Sequence, residues 1–133
     1  MSTVRAIRGA TSVTRDSGDE IRPAVCELWR RIVDANGIHN DDLISVIVAV
    51  TDDLHSMFVG TALREECGLD DVPLLGTVDA TVVDGIQRTI RLMVHVNSEK
   101  TRAEIDHIYL RGAAKLRPDL SEDGERASAA EST

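Results

Sequence analysis

Arg8 and Arg91 each stand inside a segment whose other residues are those of a packed strand. Arg8 lies in Val4-Arg5-Ala6-Ile7-Arg8-Gly9-Ala10-Thr11 and Arg91 in Ile90-Arg91-Leu92-Met93-Val94-His95-Val96-Asn97. Side chains alternate along a pleated strand, so Arg8 shares its face with Val4, Ala6 and Ala10. A guanidinium there must reach solvent, pair with one of the chain's 23 acidic residues, or bind an anionic ligand. The planar fork of donors suits a carboxylate taken by two nitrogens at once.

Other chemistries find less support. His39, His55, His95 and His107 each lack a second His or Cys three or four residues away, and Cys26 and Cys67 show no CxxC spacing. No metal, zinc site or disulfide framework is expected, and both cysteines read as buried or half-buried thiols of a reducing compartment. A net charge of −8 argues against a nucleic-acid or anionic-membrane partner. One Trp, one Tyr and one Phe leave no stacking platform for bases. No basic segment followed by an apolar run opens the chain and no stretch approaches the length of a membrane span, so a cytoplasmic protein is expected.

The elements that must hold the arginines follow from periodicity and caps. Residues 3–13 predict a strand. Ser17-Gly18-Asp19-Glu20 reads as a capping box opening a helix over 18–36, with Ile21, Val25, Leu28, Trp29 and Ile32 on one face and Asn36-Gly37 as the stop. Residues 45–50 predict a buried strand, and Thr51 to His55 offer caps for a second helix carrying Met57, Phe58, Ala62 and Leu63 to near Gly68. Strands are expected at 72–79 and 88–97, separated by the Asp84-Gly85 turn. Thr101-Arg102-Ala103-Glu104 is a second capping box, predicting a short helix to about residue 108. Residues 109–118 fit no single element and read as a closing arm, and the acidic residues 119–133 read as a disordered tail. The order predicts one α+β domain over 1–118, a mixed sheet with helices against one face.

The collinear set Val4 to Thr11, Asp53-Leu54-His55-Ser56-Met57-Phe58, Val72-Pro73, Ile90-Arg91-Leu92-Met93, His107-Ile108-Tyr109-Leu110 and Leu116-Arg117-Pro118 resembles the monofunctional αβ class of bacterial chorismate mutases. The resemblance implies a trimer built as a pseudo-αβ-barrel, with each active site between neighbouring subunits. It implies conversion of chorismate to prephenate by a Claisen rearrangement, with no cofactor. It further implies that Arg91 faces the ether oxygen and a substrate carboxylate, that Arg8 holds the other carboxylate region and that Tyr109 donates its hydroxyl to a carboxylate. Arg64 and Arg117 resemble peripheral cations that guide and enclose the dianion, Phe58 an apolar wall supplied across the interface, and Leu75 and Gly76 residues lining the ligand.

The departures from that pattern fall near the same cleft. Asp79 stands where a glutamate usually accepts from the substrate's ring hydroxyl, retracting the carboxylate by about 1 Å, a displacement that can cost roughly a hundredfold in rate. Gly76 replaces a frequent cysteine, Leu75 a smaller polar residue, and Asp52 a proline. A low-activity or non-catalytic homologue that binds chorismate or prephenate is therefore the alternative. The trimeric imine-deaminase family is a more distant one, since its Pro-Tyr-Ser type segment is missing from the start of this chain.

Overall fold

The computed structural model describes residues 2–115. Its strands are β1 (Thr3–Ser12), β2 (Leu43–Val50), β3 (Leu74–Val78), β4 (Thr89–Ser98) and β5 (Ile108–Tyr109), and its α-helices are α1 (Gly18–Asn36) and α2 (Val59–Glu66). One mixed sheet has the order β3-β2-β4-β1-β5. β4 runs antiparallel to both β1 and β2, whereas β2 with β3 and β1 with β5 are parallel.

Alternation decides which face of the sheet is covered. Val46, Val48, Ile90, Leu92, Val94 and Val96 are buried beneath the helices together with Ile7. Helix α1 contributes Ile21, Val25, Leu28, Trp29 and Ile32 to this core, and α2 contributes Val59, Ala62 and Leu63. At about 25 cal/mol per Å² of apolar surface, this layer supplies most of the driving force for folding. Gly9 lets α1 come close to β1, since a Cβ there would stand 2.5 Å from Ile32 Cδ1. The mixed sheet with helices on one face is the expected α+β architecture.

Both ends of α1 are where the sequence puts them. Ser17 has extended backbone and its hydroxyl accepts from Asp19 N–H, while Gly37 closes the helix in the left-handed region at φ 62°. The capping box is incomplete, because Ser17 N–H already donates to Arg15 O. Glu20 instead accepts from the backbone and hydroxyl of Thr14.

Three expectations are corrected. Helix α2 begins at Val59, without a side-chain cap, because the polar residues before it are engaged elsewhere. The Asp53 carboxylate accepts from Arg88 N–H, and Thr51 Oγ1 accepts from Thr89 N–H at 2.9 Å. The capping box at Thr101 forms, but it opens only a 3₁₀ turn, Arg102–Glu104, since the chain must extend by Ile108 to pair with β1. The predicted closing arm is strand β5 followed by a 3₁₀ helix, Arg111–Lys115. Arg117 and the expected tail lie outside the described residues.

Candidate active site

Strand register brings the expected residues to the face of the sheet that the helices leave open. Arg91 pairs with Ala10 on one side and Ala49 on the other; Ala49 pairs with Thr77, and Ala10 with Tyr109. Directly opposed residues project to the same side, so Thr77, Ala49, Arg91, Ala10 and Tyr109 form one row across the sheet. The next row is Leu75, Ile47, Met93 and Arg8. Arg8 and Arg91 are thus diagonal neighbours, with backbones about 7–8 Å apart. Two cations this close concentrate positive charge locally on an otherwise acidic protein.

Arg91 Nε lies 2.8 Å from Asp79 Oδ2, and the two side chains are 39% and 24% exposed. The approach is an ion pair without hydrogen-bond alignment, so Nε remains a buried donor with no hydrogen-bonded acceptor. Asp79 is fixed by its own backbone, whose N–H continues the ladder to Val50 O at 2.7 Å. Its second carboxylate oxygen accepts from Ala80 N–H at 3.0 Å.

Tyr109 is 2% exposed and packs with Ala10 and Ala113, and its hydroxyl is buried without a partner. Two donors without an aligned hydrogen bond, Arg91 Nε in its ion pair and Tyr109 Oη, thus belong to the residues that flank Ala10. Among the described residues no acid pairs with the guanidinium of Arg8, whose backbone N–H donates to His107 Nδ1 at 2.9 Å. A buried donor left unpaired costs about 1–3 kcal/mol, and the Tyr109 hydroxyl is such a group. Thr11 Oγ1 is a third buried oxygen without a partner, but Thr11 pairs with Ile90 and faces the helices.

The other expected residues are dispersed. Leu75 is 64% exposed on the edge strand, and Gly76 beside it has open space where a Cβ would stand. Phe58, 86% exposed, and Arg64, whose Nη2 reaches Thr61 Oγ1 at 3.4 Å, belong to the helix layer. Neither is brought to Arg91 within one chain. A hollow of about 260 Å³ lies at the far end of β1 and β4, lined by Asn36, Asp42, Ser98 and Lys100 among others. It contains none of the expected site residues, and the arginine face is an open surface.

Ala10, Ala49, Thr77 and His107 were not among the residues expected at the site. The alanines carry no chemical signal and matter by the space they leave. His107 became visible only with β5, which is too short to show a period.

The chain matches the family model described as chorismate mutase type I over residues 4–120. It is 36% identical over 118 residues to the chorismate mutase AroH of Bacillus subtilis (strain 168), covering 89% of this chain and 93% of that protein. It is 40% identical over 118 residues to the chorismate mutase AroH of Thermus thermophilus, covering 88% and 96%. Its fold superposes on the solved chorismate mutase from Clostridium thermocellum with a TM-score of 0.81 at 38% identity, covering 84% of this chain and 99% of that one.

Proposed function

The chain belongs to the chorismate mutase type I family, and we propose that the open face around Arg91 is where it acts. The enzyme is an isomerase that rearranges chorismate to prephenate. The ether C–O bond breaks as a C–C bond forms within the same dianion, so no nucleophile, cofactor or proton transfer is required. A site for this reaction holds the compact reactive conformer and places positive charge at the ether oxygen as negative charge develops there.

Arg91 takes the ether oxygen and one carboxylate, and Arg8 and Tyr109 take the carboxylate regions. Asp79 accepts from the ring hydroxyl, and the ion pair with Arg91 keeps it aimed. Leu75 and the backbone at Gly76 line the ligand. The carrying observation is that Arg91 Nε, ion-paired with Asp79 but without an aligned hydrogen bond, and the unpartnered Tyr109 Oη belong to residues on either side of Ala10.

A small dianion needs more enclosure than an open sheet face provides. We assign the missing walls to a neighbouring copy in a homotrimer, with Phe58 and Arg64 contributed across the interface and Arg117 closing the site. The exposure of Leu75 and Val78 on the edge strand β3, and of Phe58 just before α2, supports this assembly. The free thiols of Cys26 and Cys67 are in keeping with the cytoplasm. Among the described residues no helix is long and apolar enough to cross a membrane.

The short reach of Asp79 favours a second reading, a homologue that binds chorismate with little turnover. The test adds chorismate to the purified protein and follows loss of its diene absorbance, with prephenate confirmed by acid conversion to phenylpyruvate. Conversion supports the mutase, and saturable binding without conversion supports the second reading.

A further inference from the structure

We propose that His107 is a positioning residue for Arg8, an inference that rests on the substrate-holding role given to Arg8 above. Strand β5 is only two residues long and pairs with Gly9 and Ala10 of β1. On this edge of β1, Ala10 O accepts from Leu110 N–H at 2.9 Å. Two residues earlier on the same edge, Arg8 N–H has no strand residue opposite it. The imidazole of His107 supplies the acceptor instead, with Nδ1 at 2.9 Å. A backbone amide only donates, so Nδ1 carries the lone pair and the ring proton of the neutral imidazole is on Nε2. The ring extends the ladder by one bond.

The residue before His107 is itself clamped. Asn36, buried at the end of α1, donates through Nδ2 to Asp106 O at 2.9 Å and accepts through Oδ1 from Asp106 N–H at 2.8 Å. The same amide donates to Ile32 O at 2.9 Å, which fixes its rotamer. A hydrogen-bonded path therefore runs from the core helix through Asn36, Asp106 and His107 to the backbone of Arg8. It also ties the backbone of Arg8 to the segment that carries Tyr109, two residues beyond His107. Arg8 and Tyr109, both assigned to the substrate's carboxylate regions, stand on different strands, and this path sets their spacing.

The consequence is measurable in a double-mutant cycle on chorismate turnover. His107→Leu lowers kcat/KM roughly tenfold, mainly through KM, because a displaced arginine weakens ground-state holding. His107→Asn, whose Oδ1 occupies the place of Nδ1, recovers activity to within about threefold of wild type. In the Arg8→Ala background His107→Leu changes kcat/KM by less than about twofold. Thermal unfolding checks the fold of each variant; where His107→Leu does not fold, His107→Gln, with its acceptor one bond too far out, takes its place. Equal losses in both backgrounds, or no loss in either, would overturn the proposal. A wild-type protein that binds chorismate without converting it would overturn the mutase reading alone, and the same cycle on chorismate affinity would then decide the role of His107.

Discussion

Arg91 and Asp79 stand 2.8 Å apart on neighbouring parts of the open sheet face without forming an aligned hydrogen bond. The acid neutralises the arginine enough to let it sit among half-buried neighbours. It leaves the directional capacity of Nε unspent. An ion pair of this kind is a resting arrangement that a better-placed acceptor can displace, and a carboxylate one methylene longer would change both its length and its direction.

Asp79→Glu is therefore expected to raise turnover. The added methylene moves the carboxylate about 1 Å toward the ligand, and a displacement of that size is worth up to roughly a hundredfold. Steady-state kinetics on chorismate check it. Unchanged kcat would mean that the backbone already compensates for the shorter side chain.

Ala10→Val tests the space between Arg91 and Tyr109. The position is fully buried, between the residues that carry Arg91 Nε and the unpartnered Tyr109 Oη. Overpacking there is expected to cost about 1–3 kcal/mol of stability. Chorismate affinity should fall in the same variant, while the conservative Ala10→Gly should retain it. Denaturant titration and calorimetric binding separate the two effects.

Much of this site was legible in the alternation of β4. Ile90, Leu92, Val94 and Val96 are buried, which leaves Arg91, Met93 and His95 for the opposite face before any coordinates are known. The start of α2 was not legible, because Thr51 and Asp53 are good caps by type and are used across the sheet on Arg88 and Thr89. Only the tertiary pairing shows that. Strand β5 was hidden for a similar reason, since two residues carry no period and the histidine that completes its ladder does so with a side chain.

The assembly gives a third prediction. Sedimentation equilibrium is expected to return about three times the chain mass of 14.5 kDa. Leu75→Asp, which puts a charge on an exposed apolar position of the edge strand, should dissociate the trimer and abolish turnover together. A fully active monomer would contradict the shared cleft.

Cys26 and Cys67 give a pH prediction. Their sulfurs are 3.3 Å apart. Burial, then the neighbouring Cys67 thiol and Glu66, push the Cys26 thiol from 9.0 up to about 12, and burial also raises Cys67. The native protein should thus resist iodoacetamide at pH 8 and react readily once denatured. A raised thiol pKa favours the protonated folded state. Its contribution to stability is complete below the unfolded value near 9 and is lost as pH climbs toward 12. Thermal unfolding measured across that range should show the loss in wild type and less of it in Cys26→Ala.

The most direct measurement is the kinetics of Arg91→Ala on chorismate beside wild type. If Arg91 acts on the charge that develops at the ether oxygen, kcat falls by about 10²–10³-fold while KM changes only a few-fold. A variant that keeps the wild-type kcat and loses only affinity would contradict that role.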